Sequence, residues 1–315
     1  MGLPDIQNRT ISAVYERVCD HIPDEIVQIG PDGRYTAAQS HARSMRIAGG
    51  LTALGVRRQE PVGLMLDNSL DAVHAWTGTA LGGMVEVPIN SAYKGDFLSH
   101  ILNDSAASAL VIEADQVDRL ARIAGDLTAL RTVVVHGDIA AADDLRSRFT
   151  VVDFDALTSS EPAAPQRIDA TDLMAFMYTS GTTGRSKGVL ISHAHAYTYA
   201  SREDQARPRT GDRILVTLPL FHLAGQWYGV YQALIHESLC VVEPAFSVSR
   251  FWPTVREHGI TVTVTLGAMA ELLQQCPPRD DDADNSLELA IMAPLASDVD
   301  GFRRGSVSRW PPYTA

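Results

Sequence analysis

Tyr178-Thr179-Ser180-Gly181-Thr182-Thr183-Gly184-Arg185-Ser186-Lys187-Gly188-Val189 is a hydroxyl-rich, glycine-rich stretch that ends on one lysine and lies between two short apolar runs. Gly181, Gly184 and Gly188 let the backbone adopt conformations that bulkier residues resist, so several amide N–H groups can converge on one anion. Thr179, Ser180, Thr182 and Thr183 add hydroxyl donors. Lys187 adds a mobile point charge suited to a phosphate group that develops charge as it leaves. The pattern therefore reads as a polyphosphate-binding loop, with Lys187 as its catalytic cation.

The loop is not a Walker A sequence. In a G-x-x-x-x-G-K-[ST] frame begun at Gly181, the sixth position is Ser186, and the residue after Lys187 is Gly188. The flanking runs, 173–178 and 189–192, are short and rich in β-formers, which predicts strand, loop, strand. The phosphates would then be held by loop amides and side chains, without a helix N-terminus.

The T-S-G-T-T-G-x-x-K-G pattern resembles the signature of the adenylate-forming, AMP-binding superfamily: acyl-CoA synthetases, aryl-CoA ligases, luciferases and the adenylation domains of peptide synthetases. A second block, Leu218-Pro219-Leu220-Phe221-His222-Leu223-Ala224-Gly225, resembles the segment that in CoA ligases ends a strand and opens the helix beside the carboxylate pocket. Phe221-His222 stands where amino-acid adenylation domains usually carry Phe-Asp, which favours the acyl-CoA or aryl-CoA branch. Tyr35-Thr36, Gly55-Val56, the run 61–69 and the run 84–90 follow the superfamily's opening order. The nearest texture is that of crotonobetaine or carnitine CoA ligases and fatty acyl-CoA ligases.

The resemblance implies an α/β fold, the N-terminal part of the adenylate-forming large domain, and ATP, Mg2+ and CoA as cofactor and co-substrates. It also implies two steps: a carboxylate attacks the α-phosphate of ATP to give an acyl-adenylate, and the CoA thiol then displaces AMP. Thr179, Ser180, Gly181, Thr182, Thr183, Gly184 and Lys187 are expected to hold the phosphates. His222 is expected to line the acyl pocket, with Gly267 and Met269 as further candidates; Gly267-Ala268-Met269 reads equally well as core at a helix start.

Composition narrows the rest. With 315 residues the chain can bury a large core. Cys19, Cys240 and Cys276 are scattered without C-x-x-C spacing, so neither a metal site nor a disulfide framework is expected, and a reducing cytoplasm is. No apolar run approaches the length of a membrane span. The 38 acidic and 26 basic side chains give a formal charge of -12, which disfavours nucleic acid as a partner. The expected partners are a small carboxylate, ATP and CoA. The acidic run Asp280-Asp281-Asp282 reads as a solvated loop.

Elsewhere helices and strands alternate. Helices are expected from Thr36 to Gly55 and over 70–81, 97–102, 117–123, 193–205, 225–235, 248–258 and 268–275. Strands are expected over 61–66, 84–87, 109–112, 132–135, 214–218, 239–242 and 262–265. Such alternation argues for mostly parallel sheets covered on both faces. Residues 159–165 have linker composition, inside one incomplete large domain spanning 1–304.

The superfamily's Y-G-x-T-E motif and its mobile C-terminal lid are not found here, and the lid domain is expected to be absent. Read one nucleotide earlier, codons for residues 305–315 can spell Phe-Gly-Val-Ser-Val-Ala-Thr-Val-Tyr-Gly, so this stretch is expected to be an aberrant, frameshifted tail. Ending near Arg304 would leave a strand edge and Leu266, Leu272 and Leu273 open to solvent. The expectation is a truncated carboxylate-CoA ligase, inactive alone. The alternatives are a noncatalytic nucleotide- or acyl-binding module, or one half of a split enzyme with a separately encoded C-terminal half.

Overall fold

The structure, a computed structural model, describes residues 3–179, 185–201, 208–277 and 284–306. The acidic run 280–282, residues 202–205 of the expected helix 193–205, and the tail from 307 onward lie outside the described residues.

In chain order the elements are α1 (Ile11–His21), β1 (Ile26–Gly30), β2 (Gly33–Thr36), α2 (Ala37–Ala53), β3 (Pro61–Met65), α3 (Leu70–Leu81), β4 (Val85–Pro88), α4 (Asp96–Asp104) and β5 (Ala109–Glu113). There follow α5 (Val117–Ala121), β6 (Thr132–His136), β7 (Thr150–Asp153), α6 (Phe154–Thr158), β8 (Leu173–Thr179), β9 (Lys187–Ser192), α7 (His193–Ser201) and β10 (Arg213–Val216). A short α8 (Leu223–Gly225) runs through a π-helical turn (Gln226–Tyr231) into α9 (Gln232–Ile235). The described part closes with β11 (Leu239–Val242), α10 (Val248–His258), β12 (Val262–Thr265), α11 (Gly267–Gln274), β13 (Leu289–Met292) and α12 (Val299–Ser306).

The strands form two sheets. One is seven-stranded in the order β7-β6-β5-β3-β4-β8-β9, and the other is six-stranded in the order β13-β12-β10-β11-β1-β2. Pairing is parallel throughout except for the β8/β9 and β1/β2 hairpins. The side chains show why both sheets need cover on each face. In β5, Ala109 and Val111 join one core while Leu110 and Ile112 join another; in β11, Cys240 and Val242 enter the same central core while Leu239 and Val241 face a third. Strand side chains alternate faces, so apolar residues at consecutive positions demand packing on both sides. The result is five layers, with α1, α2, α3 and α7 filling the space between the sheets.

Local sequence sets these helices. α3 is buried at every position but Asp71, a mostly apolar segment capped by Ser69, whose hydroxyl accepts from the Ala72 amide at 3.0 Å. The Asp32 carboxylate accepts from the Leu70 and Asp71 amides, each at 2.8 Å, satisfying two more donors at the same helix start. α2 opens with a capping box between Thr36 and Gln39.

The segment 159–165 connects α6 to β8 within the seven-stranded sheet and lies along α2. The Ala163 amide donates to the Met45 carbonyl at 2.9 Å, and a Cβ at Gly49 would sit 1.9 Å from the Glu161 carbonyl oxygen. Leu266 and Leu272 are exposed as expected, but Leu273 is not: it is buried with Phe251 and Val255 of α10. β13 forms one edge of the six-stranded sheet among the described residues.

At the carboxyl ends of β5 and β6, His136 bridges two carboxylates. Its Nδ1 donates to Glu113 Oε2 at 2.7 Å and its Nε2 to Asp71 Oδ2 at 3.3 Å, while Arg43 also pairs with Asp71. Hydrogen bonding to Asp71, then to Glu113, raises the His136 pKa from 6.5 to about 10. Because the folded-state value lies above the unfolded one, the imidazolium's contribution to stability is full below pH 6.5 and is lost as pH rises through about 10. The melting temperature should therefore fall across that window in the wild type, and the gap to His136→Gln should narrow. A gap that widened with pH would mean that His136 is not held as an imidazolium.

Candidate active site

The strand-loop-strand reading holds: β8 and β9 form an antiparallel hairpin whose last pair is Thr179 opposite Lys187. Ser180, Gly181, Thr182, Thr183 and Gly184 lie outside the described residues. The base of the hairpin is anchored to α4. Tyr178 Oη donates to Asp104 Oδ2 at 2.7 Å, and His100 Nε2 donates to the Ser186 carbonyl at 2.8 Å, with the His100 ring edge-on to that of Tyr178. Burial, and then the Asp104 carboxylate, push the Tyr178 hydroxyl pKa up, so it stays a donor. A Cβ at Gly188 would lie 3.1 Å from the Tyr178 ring, which explains the small residue beside Lys187. The side chains of Thr179 and Lys187 are exposed at the mouth of the loop.

His222 lies in the wall of a cavity of about 710 Å³ in the second half of the chain. Leu218, Phe221 and Ala224 form one side and Val264, Thr265 and Leu266 another, while Ala290 to Ala293 supply a third from β13 and its end. The lining is mostly apolar, with His222, Thr265, Tyr199 and Tyr228 as its polar members. Tyr199 comes from α7, the helix that continues directly from β9, and its ring stacks on Tyr228 at 4.5 Å. The outgoing strand of the loop hairpin therefore leads straight into the cavity wall.

Local geometry puts His222 there. It is the N-cap residue of α8, and its carbonyl accepts from the Gly225 and Gln226 amides at 3.0 Å each. The helix can start this close to the preceding chain only because residue 225 is glycine: a Cβ there would lie 2.4 Å from the carbonyl oxygens of both Leu218 and Pro219. Asn68, in the loop after β3, locks the same segment from the other sheet. Its Nδ2 donates to the Leu218 carbonyl at 3.0 Å and to the Glu243 carbonyl at 3.2 Å, and its Oδ1 accepts from the Leu220 amide at 2.8 Å.

Neither Gly267 nor Met269 forms the cavity wall. Gly267 opens α11 against the backbone of Leu295, where a Cβ would meet the chain at 2.6 Å, and Met269 Sδ accepts from Thr265 Oγ1 at 3.5 Å. Sequence reading missed Tyr199, Tyr228, Thr265 and the β13 wall. Among the described residues no group of three His, Cys, Asp or Glu side chains could hold a metal ion, and no helix is long and apolar enough to cross a membrane.

Known proteins are similar to this chain in sequence and in fold. Human long-chain fatty acid transport protein 1 is 28% identical over 287 residues, covering 90% of this chain and 44% of the relative. The long-chain-fatty-acid–CoA ligase FadD13 of Mycobacterium tuberculosis is 30% identical over 252 residues, covering 80% of this chain and 48% of the relative. The chain thus spans about half the length of the curated relatives it matches. Among solved structures, the anthranilate CoA ligase AuaEII in complex with anthranoyl-AMP superposes with a TM-score of 0.83 at 21% identity, covering 94% of this chain and 58% of that one. The inhibitor-bound N-terminal domain of FACL13 from Mycobacterium tuberculosis superposes at 0.80 and 23% identity, covering 97% and 76%. The family profile described as AMP-binding enzyme matches residues 15–307, a span that takes in both sheets, and on that match the chain belongs to the AMP-binding enzyme family.

Proposed function

We propose that this chain supplies the phosphate-binding and acyl-binding elements of a carboxylate–CoA ligase that activates an apolar carboxylic acid with ATP. The observation that carries the reading is the mostly apolar cavity that His222 helps to line, with α7 linking its wall to the β8/β9 hairpin. A cavity of this size and lining suits an alkyl or aryl tail, and the few polar groups suit its carboxylate end. Homology to acyl-CoA ligases supports the same substrate class.

In this reading the acid lies with its tail in the cavity and its carboxylate toward His222. Thr179, Ser180, Gly181, Thr182, Thr183 and Gly184 cradle the phosphates of ATP. Lys187 stabilises the pyrophosphate as it departs from the α-phosphate, a charge that is largest in the transition state. Mg2+ would arrive with the nucleotide, and CoA would take the acyl group from the adenylate in a second step.

The test is a titration of the chain with a fatty carboxylate and, separately, with MgATP. Ala224→Trp should fill the cavity and weaken carboxylate binding by at least about tenfold while leaving ATP binding unchanged, since an indole excludes the volume the tail would occupy. Lys187→Ala should do the reverse. Carboxylate binding that survives Ala224→Trp would overturn the acyl assignment, and binding of both ligands without carboxylate-dependent pyrophosphate release would favour a noncatalytic binding module.

A further inference from the structure

Glu86 is the one acidic residue of β4, and its side chain is 1% exposed between the two sheets. Its register partners are Val62 on β3 and Ala175 on β8, both apolar. Its hydrogen-bond partner is Gln226 in the π-helical turn, also buried, whose Nε2 donates to Glu86 Oε1 at 2.6 Å. Glu86 Oε2 and Gln226 Oε1 are both buried without a hydrogen-bond partner among the described residues. The hydrogen-bonded pair is thus left with one unsatisfied acceptor oxygen on each side chain.

We propose that Glu86 is a neutral carboxylic acid whose Oε2–H donates to Gln226 Oε1, so that acid and amide form a two-bond clasp that positions the cavity wall. An ionised carboxylate could only accept, leaving the Gln226 oxygen opposed to a buried charge. Among the described residues no ion pair compensates such a charge: β3 and β8 present apolar residues at its register positions, the helix presents an amide, and burial and the Gln226 hydrogen bond are the two influences on the proton affinity of Glu86. Burial raises its pKa from 4.5 to about 8, opposed only by the Gln226 hydrogen bond.

The clasp joins two parts of the site. Glu86 is paired in register with Ala175 of β8, the strand that runs into the phosphate loop. Gln226 follows His222 by one helical turn and precedes Tyr228, and both of these line the cavity. Glu86 is thus a positioning residue: it fixes the turn carrying His222 and Tyr228 relative to the strand that feeds the loop. This role rests on the acyl reading of the cavity, whereas the protonation state does not.

Two readouts test it. In infrared difference spectra of wild type against Glu86→Gln, with isotopically labelled glutamate, the wild type should show a protonated-carboxyl band at neutral pH. That band should convert to a carboxylate band as pH rises through about 8. A carboxylate band already present at neutral pH would overturn the clasp. Glu86→Gln keeps both hydrogen bonds as an amide–amide pair, so it should bind a fatty carboxylate probe as wild type does at neutral pH. Wild-type affinity should then fall about tenfold above that transition while the variant's stays flat. An equal fall in both proteins would overturn the positioning role. If the wild type binds no probe at any pH, the acyl reading fails. The infrared band still decides the clasp, and a pH step in Trp227 emission, absent in Glu86→Gln, decides whether it holds the turn.

Discussion

Asn68→Asp should destabilise the protein by about 3–5 kcal/mol, more than a surface Asn→Asp change by a wide margin. The wild-type amide donates to the Leu218 and Glu243 carbonyls while accepting from the Leu220 amide. Aspartate can keep the acceptor role but would turn a carboxylate oxygen toward two carbonyl oxygens at a buried site. Both carbonyls lose their donor and gain a repulsive neighbour. The damage should reach the cavity as well, because Leu218 lines it. Urea unfolding of the two proteins checks this, and a loss under about 1 kcal/mol would mean that the two sheets are not joined through Asn68.

Trp76→Ala should cost a similar amount, about 3–5 kcal/mol, through a different mechanism. Trp76 lies on α3 at 1% exposure between the sheets, edge-on to Tyr231 at 5.8 Å. Truncation removes a large apolar surface and leaves a cavity that two hydrogen-bonded sheets cannot collapse to fill. Trp76→Phe should recover a good part of the loss. Equal losses for the two variants, measured by denaturant midpoint at constant m value, would show that the site is looser than its burial implies.

Where a run of sequence is apolar and punctuated, its element was legible almost to the residue. The helix over 70–81 is bounded by Ser69 and Gly82, and the strand 239–242, the helix 248–258 and the strand 262–265 lie where periodicity puts them. β1 and β2 were not found. β1 is a five-residue strand stabilised by pairing with β11, a partner far along the chain, and local pattern carries no record of such a partner. The helix expected over 225–235 begins two residues earlier and passes through a π turn, which composition does not announce.

The site divides in the same way. The hairpin and His222 were readable because each sits in a contiguous motif. Tyr199, Thr265 and the β13 wall were not, because only tertiary folding brings them beside His222. Glu86 left a sign that was available: a carboxylate inside the apolar run from Met84 to Ile89, at a strand position where both faces are covered. A charged residue there needs either a partner or a proton.

The pairing of Gln28 with Cys240 and of Ile29 with Val241 also bears on how the molecule is made. β1 and β2 are synthesised before the other strands of the two sheets and pair with each other as a hairpin, a unit too small to be stable in water by itself. Their neighbour in the six-stranded sheet, β11, is synthesised only after every strand of the seven-stranded sheet. Vectorial synthesis therefore favours completion of the seven-stranded sheet first, while the β1 edge waits unpaired and exposed to other nascent chains. Strands made before β3 to β9 are thus completed into their sheet after them, and the yield in a cell should depend on how well that waiting edge is shielded.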